Sequence, residues 1–378
     1  MSPSWLALLF AVLSIAVTAL DDSMLLRDLG KKSSNSLNIA TLSSRYRTAA
    51  MQCLMADHYL WRHTLYTLQA LVLLIYGINH THGQTWALLG ATYNIALAIG
   101  CHIDPSEFGL DIIQCEERRR CWAGLSMLYT IHNISMGSLD TRCLPTDVAL
   151  PADVNDSDLM EGRSISNNSS PTQMSYLLHK FSLYNLCHMI CKELFVTRQS
   201  TSEWVISIDQ EIANEQDKWN AKYQSDAQSG SLALQHVVQV NILNGYAYQL
   251  FLLLHRPVLM NVVSPPRSED MRRSRNRCVE SARALLDIHT LLFESVELKP
   301  FSWYNQGLGS FHAFHAAVFL FVAIATSENT DQYHDIRQTL EKSMTIFEAM
   351  ADRSRICEQA TPILHYLQLV HTMSIRTS

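Results

Sequence analysis

Residues 86–122 read WALLGATYNIALAIGCHIDPSEFGLDIIQCEERRRCW, and this stretch decides the fold class. From 85 to 99 small and apolar side chains recur at spacings of three and four, the mark of a helix with a buried face. The helix is predicted to end at Gly100, because glycine takes the left-handed backbone that closes many helices. Pro105 then blocks continuation, and Asp111-Ile112-Ile113-Gln114 has the form of a capping box opening the next helix. In that helix Arg118, Trp122, Leu125 and Tyr129 fall on one face. Glu116 precedes Arg120 by one turn, the order that favours an ion pair. The triple arginine 118–120 is therefore read as a partly buried ion-pair girdle in preference to a phosphate site, since it sits beside acids at a helix start.

Outward from this stretch the helical period persists, and no segment alternates with the period of a strand. The expected fold is all-α, a large multi-helix array of antiparallel helices. Residues 21–44 are polar and read as a helix tip and loop; Ser44 to Gly77 carries apolar residues at helical spacing, including Leu54, Tyr59, Trp61, Leu65 and Leu68. A turn is expected at 78–84. After the arginine helix, Pro145, Pro151 and Pro171 bracket an acidic, Ser/Asn-rich tract. Helices are expected over about 173–197, 200–224, 231–263, 268–294, 307–327 and 331–376. The chain is read as one helical domain, 1–378, whose halves are separated by the loop at about 139–175.

The first residues allow three readings. Trp5 to Leu20 is almost wholly apolar, and Val17-Thr18-Ala19 before two aspartates resembles a signal-peptidase site. No Lys or Arg precedes the run, however, and its length falls short of the roughly 20 residues of a membrane span. Ser2-Pro3 reads instead as a helix cap followed by proline at the first helical position. Ala7, Ala11, Ser14 and Thr18 then form a small-residue stripe, so a helix packed by neighbours on all sides is the favoured reading. Five N-x-S/T sequences, at Asn79, Asn133, Asn155, Asn167 and Asn168, leave secretion as the alternative.

A net charge of −6 counts against a stand-alone nucleic-acid binder, because phosphate neutralisation needs cations. The arginine-rich run 267–277 is read as a solvated helix start ahead of a nucleic-acid patch. Nine cysteines, an odd number lying mostly in apolar runs, suit buried thiols better than a disulfide framework. None has C-x-x-C spacing, and Cys187-His188-Cys191 is read as a helix face ahead of a metal site. The chain lacks G-x-S-x-G, the phosphate loop, G-x-G-x-x-G and H-E-x-x-H, so no enzyme motif is present and no metal, cofactor or catalytic residue is assigned. His102 with Asp104 is read as capping a turn, and His312 with His315 as core or pocket histidines.

Taken in order, Gln69-Ala70-Leu71, Trp86 with Gly90, Gly100-x-His102-x-Asp104, Glu117-Arg118-Arg119-Arg120-x-Trp122, Leu150-Pro151-Ala152-Asp153 and Leu254-His255-Arg256-Pro257 form a set. The set resembles the regulatory middle region of fungal binuclear-zinc-cluster transcription factors, and the likeness extends over nearly the whole chain. Two departures stand out: Ser135 to Leu144 lacks the family's Gly-Arg-Pro, and Thr130-Ile131 replaces its Asp-Arg pair. The resemblance implies a nuclear regulator of transcription, often of a metabolic or secondary-metabolite gene cluster, with those motif residues structural or regulatory. It also implies that Met1 begins partway into the fold. Zinc would then enter only through a six-cysteine cluster preceding Met1, and direct DNA binding by this chain alone is not expected. The implied partners are the transcription machinery or a related zinc-cluster factor, with a small-molecule effector and a homodimer left open; no membrane association is expected. A stand-alone helical interaction module and a secreted helical glycoprotein are the alternatives.

Overall fold

The computed structural model describes residues 2–20, 38–79, 84–136, 147–160, 170–197, 200–227, 233–260, 269–325 and 330–377. Among these the regular elements are all helical, and the fold is an all-α array. The principal helices are α1 (Pro3–Ala16), α2 (Ile39–Ala56), α3 (Leu65–Asn79), α4 (Trp86–Ala98), α5 (Ile112–Met136), α6 (Asp156–Met160) and α7 (Ser175–Cys191). They continue with α8 (Ser202–Ala227), α9 (Leu234–Met260), α10 (Glu269–Glu294), α11 (Ser310–Ala325), α12 (Thr330–Met350) and α13 (Arg355–Thr377). Two compact units result, Met1–Tyr184 and Asn185–Ser378, divided within α7.

In the first unit α1 starts as its sequence dictates: the Ser2 hydroxyl accepts the Trp5 N–H at 3.3 Å and Pro3 takes the first helical position. Its small residues Ser4, Ala7, Ala11 and Ser14 form the buried face and let α2 and α3 lie close. The Ser43 hydroxyl donates to Ser14 O at 2.7 Å, so α1 is built into the unit. The expectation that α1 is enclosed on every side needs correcting. The small face is fully buried and Leu8 and Phe10 pack partly against the core, while Leu9 and Val12 are 37% and 46% exposed.

A second correction concerns 44–77. The helix breaks at 57–64, where His58 takes a left-handed backbone with φ 53°. The break has a long-range cause: Asp57 Oδ2 leaves the helix to accept the Ser4 N–H at 3.1 Å, satisfying the start of α1. Thr64 then caps α3 by accepting the Thr67 N–H. Trp61, expected on a helix, sits in this turn. On the other side, α2 begins at Ile39, so 39–44 is helix and not loop; residues 21–37 and 80–83 lie outside the described set.

Leu68, Ile75, Leu89, Ala96, Trp122, Leu125 and Leu128 close a core between α3, α4 and α5. Gly124 permits the approach of α3 and α5, since a Cβ there would come within 3.3 Å of Val72. The second unit packs α9 and α10 against α11, with α12 and α13 completing the layer. The expected single helix 331–376 is two helices. The first ends at Met350, and Ser354 caps the start of the second, accepting the Cys357 N–H at 3.4 Å while its hydroxyl donates to Gln306 O at 2.9 Å. Residues 234–257 and 305–325 are long and apolar enough to cross a bilayer, yet more than half of each is buried, as in core helices. Asn133, one of the N-x-S/T sites, is itself buried inside α5, which argues against a glycan there.

Candidate functional site

The arginine motif and the turn before it form a polar clasp in the first unit. α4 closes through Ile99 onto Gly100, whose φ of 75° is the left-handed conformation the sequence predicts. Asp104 then starts a short 3₁₀ turn, Pro105–Phe108, by accepting the Ser106 N–H at 3.0 Å and the Ser106 hydroxyl at 2.6 Å. Gly109, with φ 64°, reverses the chain into α5. The capping box there is formed: Asp111 Oδ1 accepts the Gln114 N–H at 2.8 Å.

Each arginine of the triplet fastens a different segment. Arg118 donates to Ile99 O at 2.8 Å and reaches the Cys101 sulfur at 3.9 Å, holding the end of α4. Arg119 grips Asp104 with two bonds, at 2.7 and 3.2 Å, and touches Glu116 at 3.5 Å. Arg120 reaches Asp156 at 2.8 Å, and its Nε lies 4.0 Å from Glu116. The carboxylates in turn catch the returning chain, for Ala149 N–H donates to Asp104 and Ala152 N–H to Glu116, both at 2.9 Å. The girdle expected from the sequence is therefore present, and its anions are internal. The Arg119 guanidinium, reinforced by the Ser106 and Ala149 donors, holds the Asp104 carboxyl well below the usual carboxylate range. Asp104 in turn raises Arg119.

The 151–156 stretch carries the clasp on to α7. Pro151 is buried. Asp153 accepts the hydroxyls of Thr172 and Ser175, Asn155 accepts the Gln173 N–H at 3.1 Å, and Asp156 N–H donates to Gln173 Oε1 at 2.9 Å. Residues 137–146, where the family's Gly-Arg-Pro would fall, lie outside the described set.

The other motif residues divide. Trp122 is buried beneath the clasp. His102 lies near it, 6.5 Å from the Trp122 ring, but Asp104 is committed to Arg119, and the buried Nδ1 of His102 has no hydrogen-bond partner among the described residues. Trp86 is half exposed and stacks on His132 at 4.3 Å. Gln69, on α3, has a buried Oε1 with no hydrogen-bond partner among the described residues. Glu117 is exposed, and its neighbour Glu116 is the acid inside the clasp. A Cβ at Gly90 would meet nothing within 4 Å, so close packing does not require glycine there.

In the second unit, Leu254-His255-Arg256-Pro257 lies within α9, inside the helix expected over 231–263, and Pro257 stands close to the end of α9. Arg256 is exposed, whereas His255 is buried. The His255 ring bridges the Ser274 hydroxyl at 3.0 Å and Asp209 at 2.9 Å. Arg277 takes both oxygens of Asp209, at 3.0 and 3.1 Å, and lies 3.8 Å above the Phe251 ring. Burial pushes the Asp209 carboxyl up, but the His255 and Arg277 bonds outweigh it and its pKa is lowered. This cluster was not legible: Asp209 lies 46 residues from His255 and 68 from Arg277. In the 267–277 run, Arg275 also turns inward and donates to Ala323 O at 2.8 Å.

The described cysteines do not fit a zinc cluster. Cys53 is half-buried and the others are buried thiols, and among the described residues no three His, Cys, Asp or Glu side chains stand together as metal ligands. Burial pushes Cys101 and Cys121 up, which keeps both protonated. His312 contacts Tyr304 at 3.4 Å, and His315 bonds Gln249 at 3.2 Å, with burial lowering His315 to about 4.

Comparison with known proteins gives this architecture a family. Residues 5–229, more than half of the chain, match the fungal specific transcription factor domain, and the chain belongs to that family. The match contains the whole clasp and stops short of His255. Among curated proteins, the chain is 29% identical over 322 residues to the equisetin cluster transcription factor eqxF of Fusarium heterosporum, covering 79% of this chain and 44% of that protein. It is 29% identical over 322 residues to the fusarisetin A cluster transcription factor fsa6 of Fusarium sp. (strain FN080326), covering 79% and 41%. It is also 32% identical over 118 residues to the C6 finger domain transcription factor hasF of Aspergillus fumigatus, covering 28% and 15%. The chain thus spans less than half the length of the curated relatives it matches. No solved structure matches it.

Proposed function

We propose that this chain is the regulatory part of a zinc-cluster transcription regulator, acting in the nucleus on a metabolic or secondary-metabolite gene set. The observation that carries the reading is the family match over 5–229, which contains the arginine clasp. The names of the Fusarium relatives support the gene-cluster role. In this reading the clasp is structural: Arg119 and Arg120 are spent on acids of the same chain and Arg118 on the Ile99 carbonyl, leaving little cation for phosphate. Specific DNA contact and zinc would belong to a six-cysteine cluster that these 378 residues do not contain. The transcription machinery or a related zinc-cluster factor is the partner, and a small-molecule effector or a homodimer is compatible with the same role.

The chain is not an enzyme in this reading, although Ser274, His255 and Asp209 form a chain of hydrogen bonds. A nucleophile must be reachable by substrate, and Ser274 is 6% exposed on the packed side of α10. Asp209 is also held by Arg277, as in a structural cross-link. The test is deletion of the gene with transcript profiling, alongside imaging of the tagged protein. A coordinated change in a set of transcripts and a nuclear signal are expected. An unaltered transcript profile would overturn the reading.

A further inference from the structure

The outer side of the clasp carries an apolar face that the fold does not cover. Ile103, Phe108, Ile112, Ile113 and Leu150 are 37%, 51%, 45%, 42% and 48% exposed. Single exposed apolar residues are ordinary, but five large ones gathered around one turn make a patch of the kind that anchors a partner. They come from two stretches of chain, 103–113 and 149–152, which the clasp holds together. Asp104 accepts the Ala149 N–H and Glu116 the Ala152 N–H, both at 2.9 Å, and Arg119 fixes Asp104 at 2.7 Å. Leu150 sits between those two anchored positions. The face is thus presented on a fixed support, which lowers the ordering cost of binding.

The charges of this face identify its partner. Residues 101–117 contain five acids and no lysine or arginine. Asp104 and Glu116 are spent inside the clasp. Glu107, Asp111 and Glu117 are exposed, as is Asp147 on the returning chain, and among the described residues none of these four forms an ion pair. The arginine triplet does not offset them, for it turns to Ile99 O, Asp104 and Asp156. Glu117 follows Ile113 by one helical turn, which puts acid and apolar side chains on the same side of α5. We propose that this outer face of the clasp is a docking site for a basic amphipathic helix of a partner protein, its apolar side on Phe108, Ile112 and Ile113 and its cations toward Glu107, Asp111 and Glu117. A two-fold pairing with a second copy would set acids against acids. An anionic bilayer or a nucleic acid would meet the same repulsion.

The test uses the whole chain and a fluorescent synthetic amphipathic helix about 18 residues long, with Leu and Phe on one face and Lys on the other. A control peptide carries Glu in place of Lys. The Lys peptide is expected to bind with Kd on the order of 1–100 µM, more weakly at high salt, and to outcompete the Glu peptide. Ile113→Ser and Leu150→Ser, one from each stretch, should each weaken binding about tenfold. Glu107→Lys and Glu117→Lys should each weaken the Lys peptide about three- to tenfold and, combined, favour the Glu peptide. Glu280→Lys, at an exposed acid of the second unit, makes the same change in net charge and should leave Kd unaltered. All the substituted side chains are solvent-facing, so an unchanged circular dichroism spectrum certifies the fold. Absence of binding, equal binding of both peptides, indifference to Ile113→Ser and Leu150→Ser, or an equal loss with Glu280→Lys would overturn the proposal. So would an Ile113-dependent dimer in light scattering, or Ile113-dependent co-sedimentation with anionic vesicles in place of peptide binding. None of these outcomes bears on transcript levels, so this proposal and the regulatory reading fail separately.

Discussion

Asp104 receives four donor groups and is the most heavily used carboxylate of the clasp: two backbone N–H groups, a hydroxyl and a guanidinium. Its folded pKa is depressed, so its contribution is complete above the unfolded value near 3.8 and is lost as pH falls through the lower folded value. Asp104→Asn is expected to destabilise the first unit by about 2 kcal/mol at neutral pH and to flatten the acid limb of its stability profile, as urea unfolding across pH will report. Lys180 has the opposite sign. Its ammonium is fully buried near the Tyr76 and Tyr176 rings, and burial lowers it from 10.5 to about 8. Between those values the unfolded chain binds more protons, so stability rises with pH across that window; below about 8 the full desolvation cost is carried. Lys180→Met is expected to raise stability at pH 7 by on the order of 1–3 kcal/mol and to abolish the rise. Denaturant midpoints at pH 7 and above 10 check both.

Elements followed the sequence wherever their causes were local. The Ser2-Pro3 start of α1, the glycine end of α4 and the Asp111–Gln114 box all depend on neighbours within a turn, and each was readable. The breaks at 57–64 and 351–354 were not, because Asp57 and Ser354 find their partners across the fold, on Ser4 and Gln306. The candidate site was half legible for the same reason. The Arg118–Arg120 girdle was visible as a motif, but periodicity alone could not place Glu116 inside it and Glu117 outside, nor bring Asp156 to Arg120. The two motif glycines of α4 and its cap make a clean contrast. Gly100→Ala forces a left-handed alanine and is expected to cost about 1–2 kcal/mol. Gly90→Ala enters open space in mid-helix and is expected to stabilise by about 0.5–1 kcal/mol. Thermal unfolding of both variants decides whether Gly90 matters to folding or only to something the helix touches.

At the scale of the whole molecule, family membership and the pairing of Arg119 and Arg120 with acids of the same chain are what the proposed regulatory role rests on. With a net charge of −6, duplex DNA should show no sequence-dependent affinity for this chain at physiological salt, which fluorescence anisotropy on labelled duplexes will measure. What the clasp does for the fold is the central claim: Arg119 and Asp104 act as a coupled pair that pins the turn after α4 to α5. A double-mutant cycle in urea with Arg119→Met, Asp104→Asn and the double variant tests it most directly. A coupling of about 1–3 kcal/mol is predicted, whereas additivity within about 0.5 kcal/mol would contradict it.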